Sequence, residues 1–238
     1  MIRFDLSPQG TEAWKAARVG RITASRAKDA RDRLKNGQHS AKALTYARDK
    51  ARERCGGKAP EVFVNAAMRE GTEQEPLARM HYEAETGALI EEVGFACTED
   101  GKFGVSVDGL IGADGVWECK TMVSSDTLFT AMVDGDISAY VDQCNFAMWL
   151  LGRKWVDLSL WCADLQLLHT IRIERNDDAI EALEADMLAF DKLVKQYEAA
   201  LRARMAPEPA TPAAPPWTET PAPAPVDKPR AALEPATF

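Results

Sequence analysis

Three charged residues raise the question of what this chain does. In "VSVDGLIGADGVWECK" (105–120), Asp108 closes one apolar alternation, and Glu118 and Lys120 stand two apart in the next. Residues two apart in a strand project from one face, so Glu118 and Lys120 share a space while Cys119 points the other way into the core. A hairpin turning at "GADG" (112–115) brings Asp108 alongside them. Two adjacent carboxylates repel unless a cation neutralises them, and an all-oxygen set suits Mg2+, with Mn2+ as a substitute. A nearby lysine can orient or deprotonate a water while a bound metal stabilises charge at phosphorus. That is equipment for phosphodiester hydrolysis. The same triplet also occurs as a plain solvated strand face, so its surroundings have to decide.

One neighbour is acidic. The stretch "EGTEQEPLARMHYEAETG" (70–87) reads as a helix with Glu75 four residues before Arg79. If that helix faces the hairpin, Glu75 makes a third carboxylate; otherwise the two form an ordinary i,i+4 surface pair.

Charge is divided unevenly along the chain. Residues 1–60 hold 15 Lys and Arg against 6 Asp and Glu, while the remainder holds 14 against 31, within a net charge of -8. A basic N-terminal segment can face a polyanion, although a solvated basic helix face gives the same count. Five scattered cysteines without a CxxC pair suit reduced thiols better than disulfides, zinc or an iron–sulfur cluster, and three dispersed histidines offer no metal site. No apolar run has the length of a membrane span and the first residues lack the regions of a signal peptide, so a cytoplasmic protein is expected.

The elements that must position these residues follow from periodicity. Helices suit 11–18, 23–35, 40–55 and 66–86, and strands suit 92–97, 102–108, 116–120, 155–161 and 167–173. Between the third and fourth strands "AYVDQCNFAMWLLG" is helical, stopping at Gly152. Ile180, Leu183, Met187, Phe190, Val194, Tyr197 and Leu201 trace one stripe of a long final helix that packs on its own core or forms a coiled-coil seam. The class is α/β with a central mixed β-sheet flanked by helices. One domain over 1–205 is expected, followed by a disordered Pro/Ala-rich tail, 206–238, which holds ten of the thirteen prolines.

The blocks "QGTEAWKAARVGRITAS" (9–25), "GTEQEPLAR" (71–79), "VSVDGLI" (105–111), "WECK" (117–120) and "YVDQCNFAMWLLG" (140–152) carry a resemblance. In order and approximate spacing they resemble the phage lambda exonuclease type of viral recombination nucleases, a branch of the PD-(D/E)xK superfamily, over about residues 8–200. The resemblance implies a restriction-endonuclease-like core. It also implies that Glu75, Asp108, Glu118 and the carbonyl of Cys119 hold Mg2+, that Lys120 positions the attacking water, and that Gln143 orients Lys120 or the scissile strand. Tyr140 falls one turn before Gln143, where a core tyrosine is equally natural. Arg18 and Ser25 match positions that contact a 5′ phosphate, and the physics suits them: Arg forks onto phosphate, and a Ser at a helix start offers its hydroxyl beside free N–H groups. Ser25 as a plain helix N-cap is the other reading. Two departures stand out. Val107 replaces the leading proline of the motif without loss of a ligand, and Asp126 occupies a region where the family can offer a basic DNA contact.

By resemblance the chain is a Mg2+-dependent exonuclease of phage or prophage origin acting 5′ to 3′ on linear double-stranded DNA. It would release mononucleotides, leave 3′ single-stranded overhangs, assemble as a homotrimer and hand its product to a single-strand annealing protein. Only the resemblance points to DNA rather than RNA. Other readings stay open. One is an endonuclease or single-strand nuclease on the same core, such as the CRISPR-adaptation type, whose iron–sulfur cysteines are not matched. The other is a non-catalytic DNA-binding module, against which uncompensated carboxylates on a sheet face speak.

Overall fold

The computed structural model describes residues 2–60 and 65–205; the stretch 206–238, expected as a Pro/Ala-rich tail, lies outside the described residues. The larger feature is a four-stranded sheet in the order β5-β6-β7-β8, made of β5 (Gly109–Ile111), β6 (Gly115–Thr121), β7 (Trp155–Cys162) and β8 (Leu167–Glu174). The expected hairpin is present: β5 runs antiparallel to β6, with Gly109 opposite Trp117. β6 and β7 are parallel, because helix α6 (Val141–Leu151) returns the chain between them, and β8 closes the sheet antiparallel to β7.

The two faces of this sheet have different partners. Val116, Val156, Leu158 and Leu160 pack into the main core with Phe146, Met148 and Phe190. Trp117 and Trp161 turn the other way and meet Ala78 and Tyr82 of helix α4 (Ala66–Thr86), with half-buried Cys119 beside them. Sandwiched between helices and two strands, β7 is buried from Val156 to Cys162, including the polar Asp157 and Ser159. Those polar groups are satisfied. Asp157 accepts from Tyr82 Oη and from Nε and Nη2 of Arg172, and Ser159 accepts from Trp117 Nε1 at 2.9 Å.

A second sheet, in the order β1-β3-β4-β2, joins β1 (Ile2–Asp5), β2 (Ile22–Thr23), β3 (Phe95–Thr98) and β4 (Phe103–Val105). Helix α1 (Glu12–Arg18) precedes β2, and a single 3-10 turn, Ala24–Arg26, leads from β2 into α2 (Ala27–Arg31). Helix α3 (Ala41–Arg54) and the final helix α7 (Asp177–Met205) pack on each other. α7 buries Ile180, Leu183, Met187, Phe190 and Val194 against the chain's own core, while Leu201 at the end of the stripe is exposed.

Several boundaries differ from the sequence expectation. The helix expected over 23–35 ends at Arg31, because the chain enters a small hairpin bridged from Arg33 to His39 and turned at Asn36 and Gly37, whose φ is +80°. The strand expected from 92 begins at Phe95, because its partner β1 ends at Asp5, the residue opposite Phe95. The strand expected to 108 ends at Val105, which releases residues 106–108 from either sheet. The interruption positions Asp108.

Candidate active site

Beyond the last β5–β6 pair the edge of β6 has no strand beside it, and the Asp108 side chain takes that place. Its Oδ2 accepts from the Cys119 N–H at 2.8 Å. The N–H and C=O of one strand residue point to the same side, so the Cys119 carbonyl also faces Asp108. On the opposite face of β6, Glu118 is buried and Lys120 half-buried. Lys120 Nζ stands 2.8 Å from Glu118 Oε1. Gln143, on the first turn of α6, donates to the same oxygen at 2.5 Å. The glutamine therefore meets Glu118, not Lys120.

Helix α4 brings Glu75 to this group, and Pro76 does not break it. Burial, and after it the charge of Asp108, pushes the Glu75 carboxyl up to about 7, although Arg79 opposes the rise. Burial and then Asp108 also raise Glu118 to about 7. Asp108 lies above the ordinary carboxylate range because burial outweighs the favourable charge of Lys120. For Lys120 burial disfavours the ammonium, but Glu118 and Asp108 outweigh it and the pKa is raised. Three carboxylates face Lys120 and Arg79, so negative charge is in excess at the site.

The donors fit a hard divalent cation in type. Among the described residues, Asp108 Oδ1 and Glu118 Oε2 take no hydrogen bond, and the Cys119 carbonyl adds a third oxygen. No three His, Cys, Asp or Glu side chains among the described residues stand close enough to hold a metal as they are. The reason is visible: Glu75 lies 3.5 Å from Arg79, which also pairs with Glu92, and Glu118 shares Oε1 between Lys120 and Gln143.

A second group of residues shares with the first a cavity of about 170 Å³. Arg18, the last residue of α1, stacks 4.4 Å from the Trp14 ring centroid and donates to Ser106 Oγ at 2.9 Å. Trp14 Nε1 donates to the same hydroxyl at 2.9 Å, and Gln9 Nε2 caps the Val107 carbonyl at 2.9 Å. Burial lowers the Arg18 pKa, the signature of a guanidinium with little water around it. Ser25 sits exposed within the 3-10 turn, its hydroxyl 3.5 Å from Thr23 Oγ1. It is no N-cap, because Thr23 holds that position before the turn and Arg26 holds it before α2. Arg18, Ser25 and Ser106 line the same cavity as Asp108, Glu118, Lys120 and Gln143.

Six of the eight residues singled out from sequence thus share one cavity, while Glu75 and Cys119 stand behind Asp108. Gln9, Trp14 and Ser106 were missed. Ser106 was detectable, since it lies two residues before Asp108 in the same block. Tyr140 packs half-buried against the core, and Asp126 lies in the first turn of α5 (Ser125–Leu128).

A mixed sheet flanked by helices, with two carboxylates and a lysine at an interrupted hairpin, defines a restriction-endonuclease-like fold. Residues 13–154, more than half of the chain, match the YqaJ-like viral recombinase domain, and the chain belongs to that family. Its structure is similar to an alkaline exonuclease, LHK-Exo, from Laribacter hongkongensis at 33% identity and TM-score 0.71, over 82% of this chain and 100% of that one. The same enzyme in complex with dAMP matches at 34% identity, TM-score 0.71 and the same coverage. A phage related exonuclease from Haemophilus somnus 129PT shares the fold at TM-score 0.62 and 14% identity, over 78% of this chain and 96% of that one. No curated protein matches the chain. Among the described residues no helix is long and apolar enough to cross a membrane.

Proposed function

We propose that the chain is a metal-dependent exonuclease that degrades linear double-stranded DNA from its 5′ ends, releasing mononucleotides and leaving 3′ overhangs. One observation carries this reading: a guanidinium and two hydroxyls, suited to a terminal phosphate, share a cavity of about 170 Å³ with two carboxylates and a lysine suited to phosphodiester hydrolysis. A phosphate anchor within the cavity sets how far the strand enters, and therefore which bond meets the carboxylates and the lysine. Identity of 33% to an alkaline exonuclease, and that enzyme's complex with a nucleoside monophosphate, support the reaction class.

Each side chain then has a task. Arg18, Ser25 and Ser106 hold the 5′ phosphate, with Trp14 as a stacking wall for the guanidinium. Asp108, Glu118, Glu75 and the Cys119 carbonyl are the residues that would hold Mg2+, for which Mn2+ can substitute. When bound, the metal supplies charge stabilisation at the scissile phosphate and a more acidic water. Lys120 orients the attacking water, and Gln143 fixes the Glu118 carboxylate. Arg79 must release Glu75 for the third carboxylate to turn inward. A homotrimer and delivery of the overhang to a single-strand annealing protein complete the proposal on family grounds.

The deciding experiment digests linear duplexes bearing 5′-phosphate or 5′-hydroxyl ends, beside closed circles, in Mg2+. The proposal expects mononucleotides from linear DNA only, a preference for the phosphorylated end, and loss of that preference in Arg18→Ala. Nicked circles would point to an endonuclease on the same core. Binding of duplex ends without cleavage in Mg2+ or Mn2+ would leave a DNA-binding module.

A further inference from the structure

The turn that carries Arg18 is held from behind by two adjacent residues of another helix. After Arg18 the chain reverses through Val19 and Gly20, and the Arg21 N–H closes on the Arg18 carbonyl at 3.2 Å. Gly20 is buried with φ +76°, where side chains are strained, and a Cβ there would lie 3.2 Å from Arg54 Cγ. Both polar groups of Gly20 are taken. Its N–H donates to Glu53 Oε2 at 2.6 Å, and its carbonyl accepts from Arg54 Nε at 2.8 Å.

Glu53 and Arg54 are the last two residues of α3, and each is fixed in turn. Lys50 stands 2.6 Å from Glu53, whose side chain is wholly buried. Asp191 of α7 takes Arg54 Nη1 at 2.7 Å and Lys195 at 2.8 Å. Packing does not substitute for these bonds, because the turn borders a cavity of about 460 Å³ lined in part by Val19, Gly20, Arg21, Glu53 and Arg54. α1 itself has seven residues and buries none of them, and apart from the clamp its end is tied by Arg21, whose Nη1 donates to the Ala17 carbonyl.

We propose that Glu53 and Arg54 are positioning residues, a clamp on the Gly20 peptide that keeps Arg18 against Trp14 and Ser106 so that it meets a terminal 5′ phosphate without reorganising. The proposal rests on the reading of Arg18 given above. A loosened turn spreads the guanidinium over more orientations, which lowers the fraction ready to bind and raises KM, while the chemistry at Lys120 is untouched.

The test compares Arg54→Ala, Glu53→Ala and Glu53→Gln with the unaltered protein on linear duplexes carrying 5′-phosphate or 5′-hydroxyl ends, with the Tm of each variant recorded. In both alanine variants KM for phosphorylated ends should rise about tenfold, as the loss of one charge-assisted bond implies. kcat and the rate on hydroxyl ends should hold. Glu53→Gln, whose amide oxygen still accepts from Gly20, should keep most of the preference. If an alanine variant does not fold, Arg54→Lys decides: it keeps a cation for Asp191 but lacks the separate Nε donor that meets the Gly20 carbonyl, so KM should still rise. An unchanged preference in folded variants, or an equal loss on both kinds of end, overturns the clamp and leaves the Arg18 site standing. An unaltered protein indifferent to the 5′ group removes the role of Arg18 and the clamp with it.

Discussion

Gln143 donates to the oxygen of Glu118 that Lys120 also contacts, and this shared Oε1 ties helix α6 to the middle of the sheet. Two donors on one oxygen fix the rotamer of a buried carboxylate and leave its other oxygen without a donor. The lysine and the glutamine therefore differ in kind. Lys120 is placed to act on a water, whereas Gln143 acts through Glu118.

That difference predicts unequal losses. Lys120→Ala should lower kcat by roughly 10³-fold, within the range for removing a fixed charged donor aimed at the reacting centre. Gln143→Ala should cost about tenfold in kcat, a hydrogen bond's worth of positioning, and should raise the Mg2+ concentration needed for half-maximal rate. Single-turnover cleavage of a 5′-phosphorylated duplex across a Mg2+ series separates the two. A Gln143→Ala loss as deep as that of Lys120→Ala would place the glutamine in the chemistry itself.

Acid should stabilise the metal-free protein around these carboxylates. Glu118 and Glu75 titrate near 7 when folded, first because they are buried and then because Asp108 is beside them, while an unfolded Glu titrates near 4.3. Between those values the folded chain keeps protons that the unfolded chain has released, so this contribution to stability falls as pH rises and levels off above about 7. A divalent cation competes with the same protons, so its stabilising effect runs the other way. In EDTA the site's contribution should lower Tm from about pH 6 to about pH 8, and added Mg2+ should raise Tm more at the higher pH. Glu118→Gln should flatten both trends. An equal Mg2+ shift at the two pH values would mean that these groups do not take the cation.

Most of the framework was legible in the sequence because period and turn chemistry agree there. The hairpin at 112–115, helix α4 and the stripe from Ile180 to Val194 all follow from alternation or 3.6-residue spacing with clear stops. What the sequence concealed was long-range. Asp108 reads as the end of a strand, yet it leaves the sheet so that its carboxylate can take the Cys119 N–H. Glu75 shows its Arg79 partner from the i,i+4 spacing, but not the second hold on Arg79 from Glu92. The Asn36–Gly37 turn is legible as a dipeptide, but the Arg33–His39 bridge that goes with it and stops α2 at Arg31 is not.

Ser106 should be as important for end selection as Arg18. Its oxygen accepts from both Trp14 and Arg18, which leaves its own hydrogen free to donate to an incoming phosphate. Ser106→Ala should raise KM for 5′-phosphorylated ends by about tenfold and have little effect on 5′-hydroxyl ends. Competition between the two duplexes in one tube reads the ratio directly. A preference that survives Ser106→Ala would leave the hydroxyl as support for Trp14 alone.

The far face of the sheet offers a stability test that leaves the cavity alone. Asp157 is buried on β7 and satisfied by a bidentate Arg172 at 2.8 and 2.9 Å and by Tyr82, while Arg172 itself stacks 3.8 Å from the Trp155 ring centroid. Arg172→Ala strands a buried carboxylate and uncovers an indole, and should cost about 2 kcal/mol in urea denaturation, below the usual cost of breaking a fully buried pair because Arg172 is half-exposed. Asp157→Asn added to Arg172→Ala should recover part of that loss, since the stranded group is then neutral. The coupling between the two sites is the informative quantity. Additive losses would show that Arg172 stabilises the sheet by covering Trp155 and not by answering the charge of Asp157.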